Sequence, residues 1–331
     1  MTGDPNSAPA FVVVRDAPPP AALRGAVVAI GNFDGVHRGH RVVIAAALSR
    51  AGALGRPAAA VTFEPHPRSV LMPHEPFFRL TDEVAKLRLL AGTGLAGAFV
   101  LRFDAALAEL PAEAFVQSIL IERLGIAGAA VGFDFHFGSG RTGTPNFLAA
   151  QGAERGFSVD ILSPLVEEGR PVSSQAIRVA LAAGRVEEAA ELLGYPWFVS
   201  GTVIHGDKRG RELGYPTANL RLDPACGLKH GIYAVRVGIG ARRLGGVASF
   251  GRRPTFDNGA PLFEVFLFDV TEDLYGRQLD IAVIAFIRDE LRFEGVDALV
   301  RQMDEDSRAA RAALAHAPDA FPPLGELLVP S

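Results

Sequence analysis

Two histidines three residues apart, His37 and His40, close the string Gly31-Asn32-Phe33-Asp34-Gly35-Val36-His37-Arg38-Gly39-His40. The apolar run before it, Ala26–Gly31, has the length of a buried strand, and after it Val43, Ala47 and Leu54 recur at helical spacing. A strand that stops at glycine and restarts as a helix brings backbone N–H groups and a positive helix end to one point, and such a point attracts phosphate. His37 and His40 at a helix start face the same way, so both can donate to triphosphate oxygens. Gly39 permits close approach of a nucleotide. The competing reading is a solvated pair, or a metal site completed by Asp34 or His66.

A second cluster runs from Gly206 to Asn219. Gly201 and Gly206 have Walker A spacing, but Asp207 stands where that loop needs lysine, so this is no P-loop. Gly206, Gly210 and Gly214, interleaved with Lys208, Arg209 and Arg211, make a flexible basic loop suited to wrapping phosphates; standing alone it would read as an ordinary surface hairpin. Past Pro216, Thr217 and Asn219 alternate along an extended segment and share a face, where a hydroxyl and an amide oxygen could ligate Mg²⁺ beside ATP phosphates. Glu264, flanked by apolar residues, is either a base for a substrate hydroxyl or a carboxylate on the solvent face of a strand. Arg288 and Phe293 suit a planar ring system, although Phe293 as a bare sequence feature reads more readily as core.

One motif points elsewhere. Gly138-Ser139-Gly140-Arg141-Thr142-Gly143 satisfies GxGxxG and has Asp160 downstream, as in an NAD-binding oxidoreductase. A dinucleotide fingerprint belongs on the first strand of its unit, however, and here that strand leads into the His37 loop.

The elements that must position these residues alternate in the first half. Strands are predicted at Ala26–Gly31, Ala58–Phe63, Ala98–Phe103, Ala129–Gly132 and Phe157–Leu162. Helices are predicted at His40–Leu54, Thr81–Ala91 with Thr81 as cap, Pro111–Leu124, Gln175–Ala183 behind Ser173 and Ser174, and Val186–Leu193. This is a parallel α/β pattern. After Gly194-Tyr195-Pro196 the apolar runs shorten, and strands at Trp197–His205, Ile232–Val237, Leu244–Ser249, Phe263–Phe268 and Leu279–Ile287 suggest a small antiparallel β-barrel closed by a helix from Gly295 to about Ala315. The Pro-rich end, Phe321 to Ser331, reads as a loosely held tail.

The first string resembles the HxGH signature of the nucleotidyltransferase superfamily and, extended, the GNFDGVHxGH of bacterial FAD synthetases. Thr62-Phe63-Glu64-Pro65-His66-Pro67 is similar to that family's TFxPHP, Gly132–Gly138 to its GxDFxFG, and Val172–Arg178 to its ISSTxxR, with Gln175 in place of threonine. Pro216-Thr217-Ala218-Asn219 resembles the PTAN motif of riboflavin kinases, and Gly231–Ala234, Gly251–Thr255 and Asp273–Gly276 add further matches in order. The chain is thereby identified as a member of the prokaryotic bifunctional riboflavin kinase/FAD synthetase family. The resemblance implies a Rossmann-like nucleotidyltransferase α/β domain that adenylates FMN, followed by a barrel that phosphorylates riboflavin, both with ATP and Mg²⁺. It implies His37, His40 and Arg178 on the triphosphate. Asp134 and the Gly31–Gly35 loop would meet the nucleotide, and Ser173 and Ser174 the phosphates. Thr217 and Asn219 would sit on the metal, Glu264 would act as base, and Arg288 and Phe293 would lie against the flavin. In the LEVHxxxF string Phe266 replaces histidine, and Ser249-Phe250 replaces Asn-Ile. A non-catalytic flavin-binding regulator is the rival, supported by Gln175 alone.

With 331 residues, 49% of them apolar, the chain exceeds what one core usually serves, so two domains are expected: 11–185 and 197–316, joined by 186–196 and followed by 317–331. Lys and Arg total 33 against 37 Asp and Glu, so no basic excess exists for a nucleic-acid partner. The single cysteine, Cys226, can form no internal disulfide. Neither a leader pattern nor an apolar run of the ~20 residues that span a bilayer is present. A cytoplasmic protein without a membrane partner is expected; a homo-oligomer is left open.

Overall fold

The computed structural model describes residues 11–204, 215–252 and 261–327. The chain forms two compact units, one of Met1–Phe77, Thr81–Ser173 and Pro323–Ser331, the other of Phe78–Leu80 and Ser174–Pro322.

The first unit is built on β1 (Val12–Arg15), β2 (Val27–Ile30), α1 (Arg38–Leu54), β3 (Ala58–Glu64), α2 (Pro67–Leu71), α3 (Glu83–Ala91), β4 (Gly97–Arg102), α4 (Ala105–Ala108), α5 (Ala112–Ala114), β5 (Gly128–Gly132), α6 (Pro145–Arg155) and β6 (Ser158–Leu162). The strands make one parallel sheet in the order β1-β4-β3-β2-β5-β6. Every residue of β2 is buried, as are the first six of β3. A parallel sheet covered on both faces requires this, and it is why these strands read as unbroken apolar runs. From β2 the chain winds outward through β3 to β4, then returns to lay β5 on the other side of β2. The order therefore reverses between β2 and β5, and the carboxyl ends of those strands open the crevice where such sheets bind ligands. A two-stranded hairpin, β7 (Val166–Glu167) with β8 (Arg170–Pro171), follows β6.

Three expectations for this unit change. The Thr81 cap belongs to Asp82, whose carboxylate accepts from Ala85 N at 2.7 Å; Thr81 is occupied elsewhere. The Pro111–Leu124 helix exists but winds as a π-helix over Phe115–Arg123, turning Phe115, Val116 and Leu120 into the core. The tail is held where it is described. Gly325 N donates to Arg88 O at 2.8 Å, and Leu327 bridges Phe11 in parallel.

The second unit carries α7 (Ser174–Ala182), α8 (Val186–Leu193), β9 (Phe198–Thr202), β10 (Thr217–Arg221), β11 (Gly231–Ile239), β12 (Arg242–Arg252), β13 (Pro261–Leu267), β14 (Gln278–Arg288) and α9 (Val296–His316). Its antiparallel sheet runs β10-β13-β12-β11-β14-β9. Ile204 N, just past β9, donates to Asn219 O on β10 at 2.9 Å and brings the two edges together. Along β13 burial alternates residue by residue: Phe263, Val265 and Leu267 fill the barrel, and Glu264 and Phe266 face outward. Outward is not into water here. α9 lays Ala310 against Ala234, Val247 and Phe268 on that face. The barrel and its closing helix are as expected from the sequence.

Candidate functional site

At the β2/β5 crevice the sheet edge carries the first histidine string. Between Gly31 and α1 the backbone takes left-handed φ at Phe33 (50°), Gly35 (84°) and Val36 (37°). Non-glycine residues hold such angles at a cost of about 1–3 kcal/mol each, and only where surroundings impose them. The surroundings are specific. Phe33 is 1% exposed, and Asp34, 3% exposed, accepts from Thr81 N (3.1 Å) and Thr81 Oγ1 (3.4 Å), while Gly35 N donates to Thr81 Oγ1 at 3.1 Å. Asp34 thus spends its carboxylate on the loop's own shape.

His37 is the N-cap of α1, one residue before the helix proper, and its Nδ1 accepts from His40 N at 3.2 Å. That bond leaves the His37 proton on Nε2. The two imidazoles stack with centroids 3.6 Å apart, and Phe33 meets His40 edge-on at 5.3 Å. Burial, and after it the neighbouring His37 and Lys86, hold the His40 pKa well below the ordinary value of 6.5. With His40 held neutral by that shift, the stacked pair offers hydrogen bonds at a helix N-terminus rather than two full charges. Gly39 has a reason besides a ligand: a Cβ there would stand 3.1 Å from Val172 O and from the His37 ring. Ser173 follows Val172 directly. Asp134 is exposed two residues past β5, and a Cβ on Gly132 would lie 3.0 Å from its Oδ1. The crevice thus holds the Gly31–His40 loop on one strand and Asp134 on its neighbour.

Sequence reasoning missed Lys86, which lies 2% exposed beneath this loop. Its only signal was a charged residue inside an apolar helix of a chain that prefers arginine. Ser174 and Arg178 lie on α7 in the second unit, where Arg178 Nε donates to Phe78 O at 2.5 Å.

The GxGxxG segment is not a strand-to-helix turn. Phe137 and Gly143 pair with each other (N···O 3.1 and 2.9 Å), closing the segment into a loop, and α6 begins afterwards behind its Thr144 cap. A Cβ on Gly138 would stand 2.6 Å from Ala112, and one on Gly143 2.7 Å from the Phe137 ring. Asp160 is held by Arg50 through contacts of 2.6 and 3.0 Å. Gly138 and Gly143 serve packing, and the acid is already paired.

In the second unit, register assembles the rest. Asn219 lies opposite Glu264, and Glu264 opposite Ser249, across three adjacent strands; Thr217 lies likewise opposite Phe266. Residues opposite one another, or two apart, share a face. That face opens into a cavity of about 360 Å³ lined by Thr217, Ser249, Glu264, Arg288 and Phe293, with Leu299 and Met303 of α9 among the opposing residues. Glu264 is therefore a cleft carboxylate rather than a solvated one. Phe293 is half-buried on the wall, and not core. Asn219, 5% exposed, donates from Nδ2 to Thr217 O at 3.3 Å.

Arg288 is clamped by Asp306 of α9 (Nε–Oδ1 2.7 Å, Nη2–Oδ2 2.5 Å), and Gln302 donates to Asp306 Oδ1 at 3.1 Å. Tyr215 donates to Asp304 and tilts over Phe266 at 4.8 Å; burial, then Asp304, push its pKa up to about 12. Asp304 and Asp306 were not foreseen, because an acidic stretch on a helix reads as a solvated face. Of the departures from the expected pattern in this unit, Phe266 and Ser249 sit on the cavity wall and leave the Glu264 carboxylate in place, whereas Phe250 is fully buried. Gly206, Lys208, Arg209, Gly210 and Gly214 lie outside the described residues; Pro216 enters β10. Among the described residues no three His, Cys, Asp or Glu side chains converge as a metal site.

Known proteins match both halves. Residues 20–176 match the FAD synthetase family and residues 193–314 the riboflavin kinase family. A bifunctional riboflavin kinase/FMN adenylyltransferase of Escherichia coli (strain K12) is 40% identical over 292 residues, 88% of this chain and 93% of that one. One of the same description from Pseudomonas fluorescens is 41% identical over 294 residues, covering 88% and 94%. A crystal structure described as a macrolide-efflux protein from Streptococcus pneumoniae superposes with TM-score 0.81 at 33% identity, covering 91% of this chain and 99% of that one. Identity and coverage of this order establish kinship along nearly the whole chain, and it belongs to the family of bifunctional riboflavin kinase/FMN adenylyltransferases, with the FAD synthetase half first.

Proposed function

We propose that the second unit converts riboflavin and ATP into FMN and ADP, and that the first converts FMN and a second ATP into FAD and pyrophosphate. The observation that carries this is the cavity in which Glu264 stands on the same face as Thr217, with Arg288 and Phe293 on the wall. In the kinase step the riboflavin 5′-hydroxyl oxygen attacks the γ-phosphorus of ATP, Glu264 takes the hydroxyl proton, and ADP leaves. The hydroxyl of Thr217, the amide of Asn219 and the carboxylate of Glu264 form a set of hard oxygen donors on adjoining strands, which fits Mg²⁺. Thr217 and Asn219 would hold the ion, which supplies charge neutralisation for the phosphates. Arg288 and Phe293 would lie against the flavin ring. Gly206, Lys208, Arg209, Gly210, Gly214 and Pro216 would wrap the kinase ATP.

In the adenylyl step an FMN phosphate oxygen attacks the α-phosphorus of the second ATP and the bond to the β-phosphate oxygen breaks. The nucleophile is already an anion, so no general base is required, and positioning and charge stabilisation carry the rate. His37 and His40 would donate to the triphosphate at the α1 N-terminus. Asp134 and the Gly31–Gly35 loop, with Asn32 and Phe33, would meet the nucleotide, and Ser173 the phosphates.

We assign the functional domains to 11–185 and 197–316, with 186–196 as joint and 317–331 as tail. The charge balance and the lone cysteine support a cytoplasmic enzyme whose partners are small molecules rather than nucleic acid or membrane. The test is to incubate the protein with riboflavin, ATP and Mg²⁺ and to follow the flavins by chromatography. FMN should appear first and FAD later; absence of any new flavin overturns the assignment.

A further inference from the structure

Among the buried titratable groups, Lys86 has no part in the chemistry above. It sits on α3 with Nζ 2.7 Å from Glu64 Oε1, 3.1 Å from Thr62 Oγ1, 3.2 Å from Phe63 O and 3.5 Å from Asn32 O. Thr62 Oγ1 in turn donates to Asn32 O at 3.2 Å. Asn32 lies just past β2, and Phe63 and Glu64 end β3. One ammonium therefore ties the exits of two adjacent strands at the sheet edge that presents His37 and His40.

Stability is a weak explanation for such a group, because replacing a buried ion pair by apolar side chains of similar volume is often neutral or stabilising. Composition points the same way. Of 33 basic residues only three are lysine, at 86, 208 and 229, and here the chain departs from its habit of using arginine. A compact ammonium with three donors fits a cage of four oxygens that a planar guanidinium would not.

We propose that Lys86 is a positioning residue for adenylyl transfer, setting the spacing between the Asn32 turn and the end of β3, and through it the place where ATP phosphates meet the N-terminus of α1. The proposal rests on reading the first unit as the FMN adenylyltransferase. Being buried, Lys86 acts through Asn32 and Thr62 rather than on substrate.

The experiment uses the full chain and measures FAD formation from FMN and ATP in Lys86→Met. Because that change leaves Glu64 buried without its cation, Lys86→Met combined with Glu64→Gln is measured beside it and decides the matter if the single variant does not fold. In the folded variant the KM for ATP should rise about tenfold while the KM for FMN stays within about twofold, since a displaced phosphate loop weakens one substrate and spares the other. FMN formation from riboflavin, carried out in the other unit, should stay within about twofold of the unaltered protein. A fall in kcat with both KM values unchanged, as loss of folded protein would give, overturns the proposal, and so do unaltered kinetics. If the unaltered chain makes no FAD at all, it is the adenylyltransferase reading that fails.

Discussion

Asp306→Ala removes the carboxylate that holds Arg288 by two hydrogen bonds and also receives Gln302. The Asp306 side chain is 7% exposed and that of Arg288 20%. Breaking a buried pair by deleting one partner costs about 3–5 kcal/mol. Arg288 keeps a bond to Asp289 O at 2.8 Å and has some access to water through the cavity, which places the loss at the lower end, about 3 kcal/mol. For a unit of this size that corresponds to a fall in Tm of roughly 6–12 °C. The chain has one tryptophan, and Trp197 is buried in this unit with its indole N–H on Leu80 O at 2.9 Å. Its fluorescence therefore reports the unfolding of the second unit. Asp306→Asn, which keeps an acceptor for Arg288 but not the charge, should lose roughly half as much. A midpoint for Asp306→Ala within about 2 °C of the unaltered protein would refute the reasoning.

Glu264→Gln should lower FMN formation by about 10²–10⁴-fold while leaving FAD formation intact when FMN is supplied; equal loss of both activities in folded protein contradicts the division of labour. His37→Ala together with His40→Ala should abolish FAD formation and spare FMN formation, as read from the flavin products. The His40 pKa is depressed by burial first and by its neighbours second. The folded unit therefore resists a proton that the unfolded chain accepts below pH 6.5, so stability present above that pH is lost as pH falls toward the folded value. Proton NMR of the His40 ring should show it titrating below 6.5, and a value at or above 6.5 removes the argument.

The sheet of the first unit was legible because full burial writes unbroken apolar runs, and the strand–glycine–helix transition at Gly31 announces itself. β1 was missed: four residues at a sheet edge carry little pattern. The tail escaped because what fixes it is backbone to backbone, Gly325 on Arg88, which leaves no trace in side-chain types. Thr81 looked like a helix cap because threonine suits that role, yet Asp82 stood next to it and the distant Asp34 claimed the hydroxyl. Glu264 could not be placed by alternation alone, since the outward face of β13 is wet or covered depending on α9, a contact made across more than thirty residues of chain. The same non-locality hid Asp304, Asp306 and Lys86. Each reads as a solvated charge until the partner that pairs it is known.

The central claim is that two separate sites on this chain act in series through FMN. The most direct measurement mixes two disabled proteins, Glu264→Gln and His37→Ala/His40→Ala, with riboflavin, ATP and Mg²⁺. The first alone should form flavin products at least about a hundredfold more slowly than the unaltered protein and the second FMN without FAD, whereas the mixture should yield FAD far faster than the first alone. FAD from the second protein alone, or a mixture no faster than the first alone although the second still makes FMN and the first still converts added FMN, would contradict it.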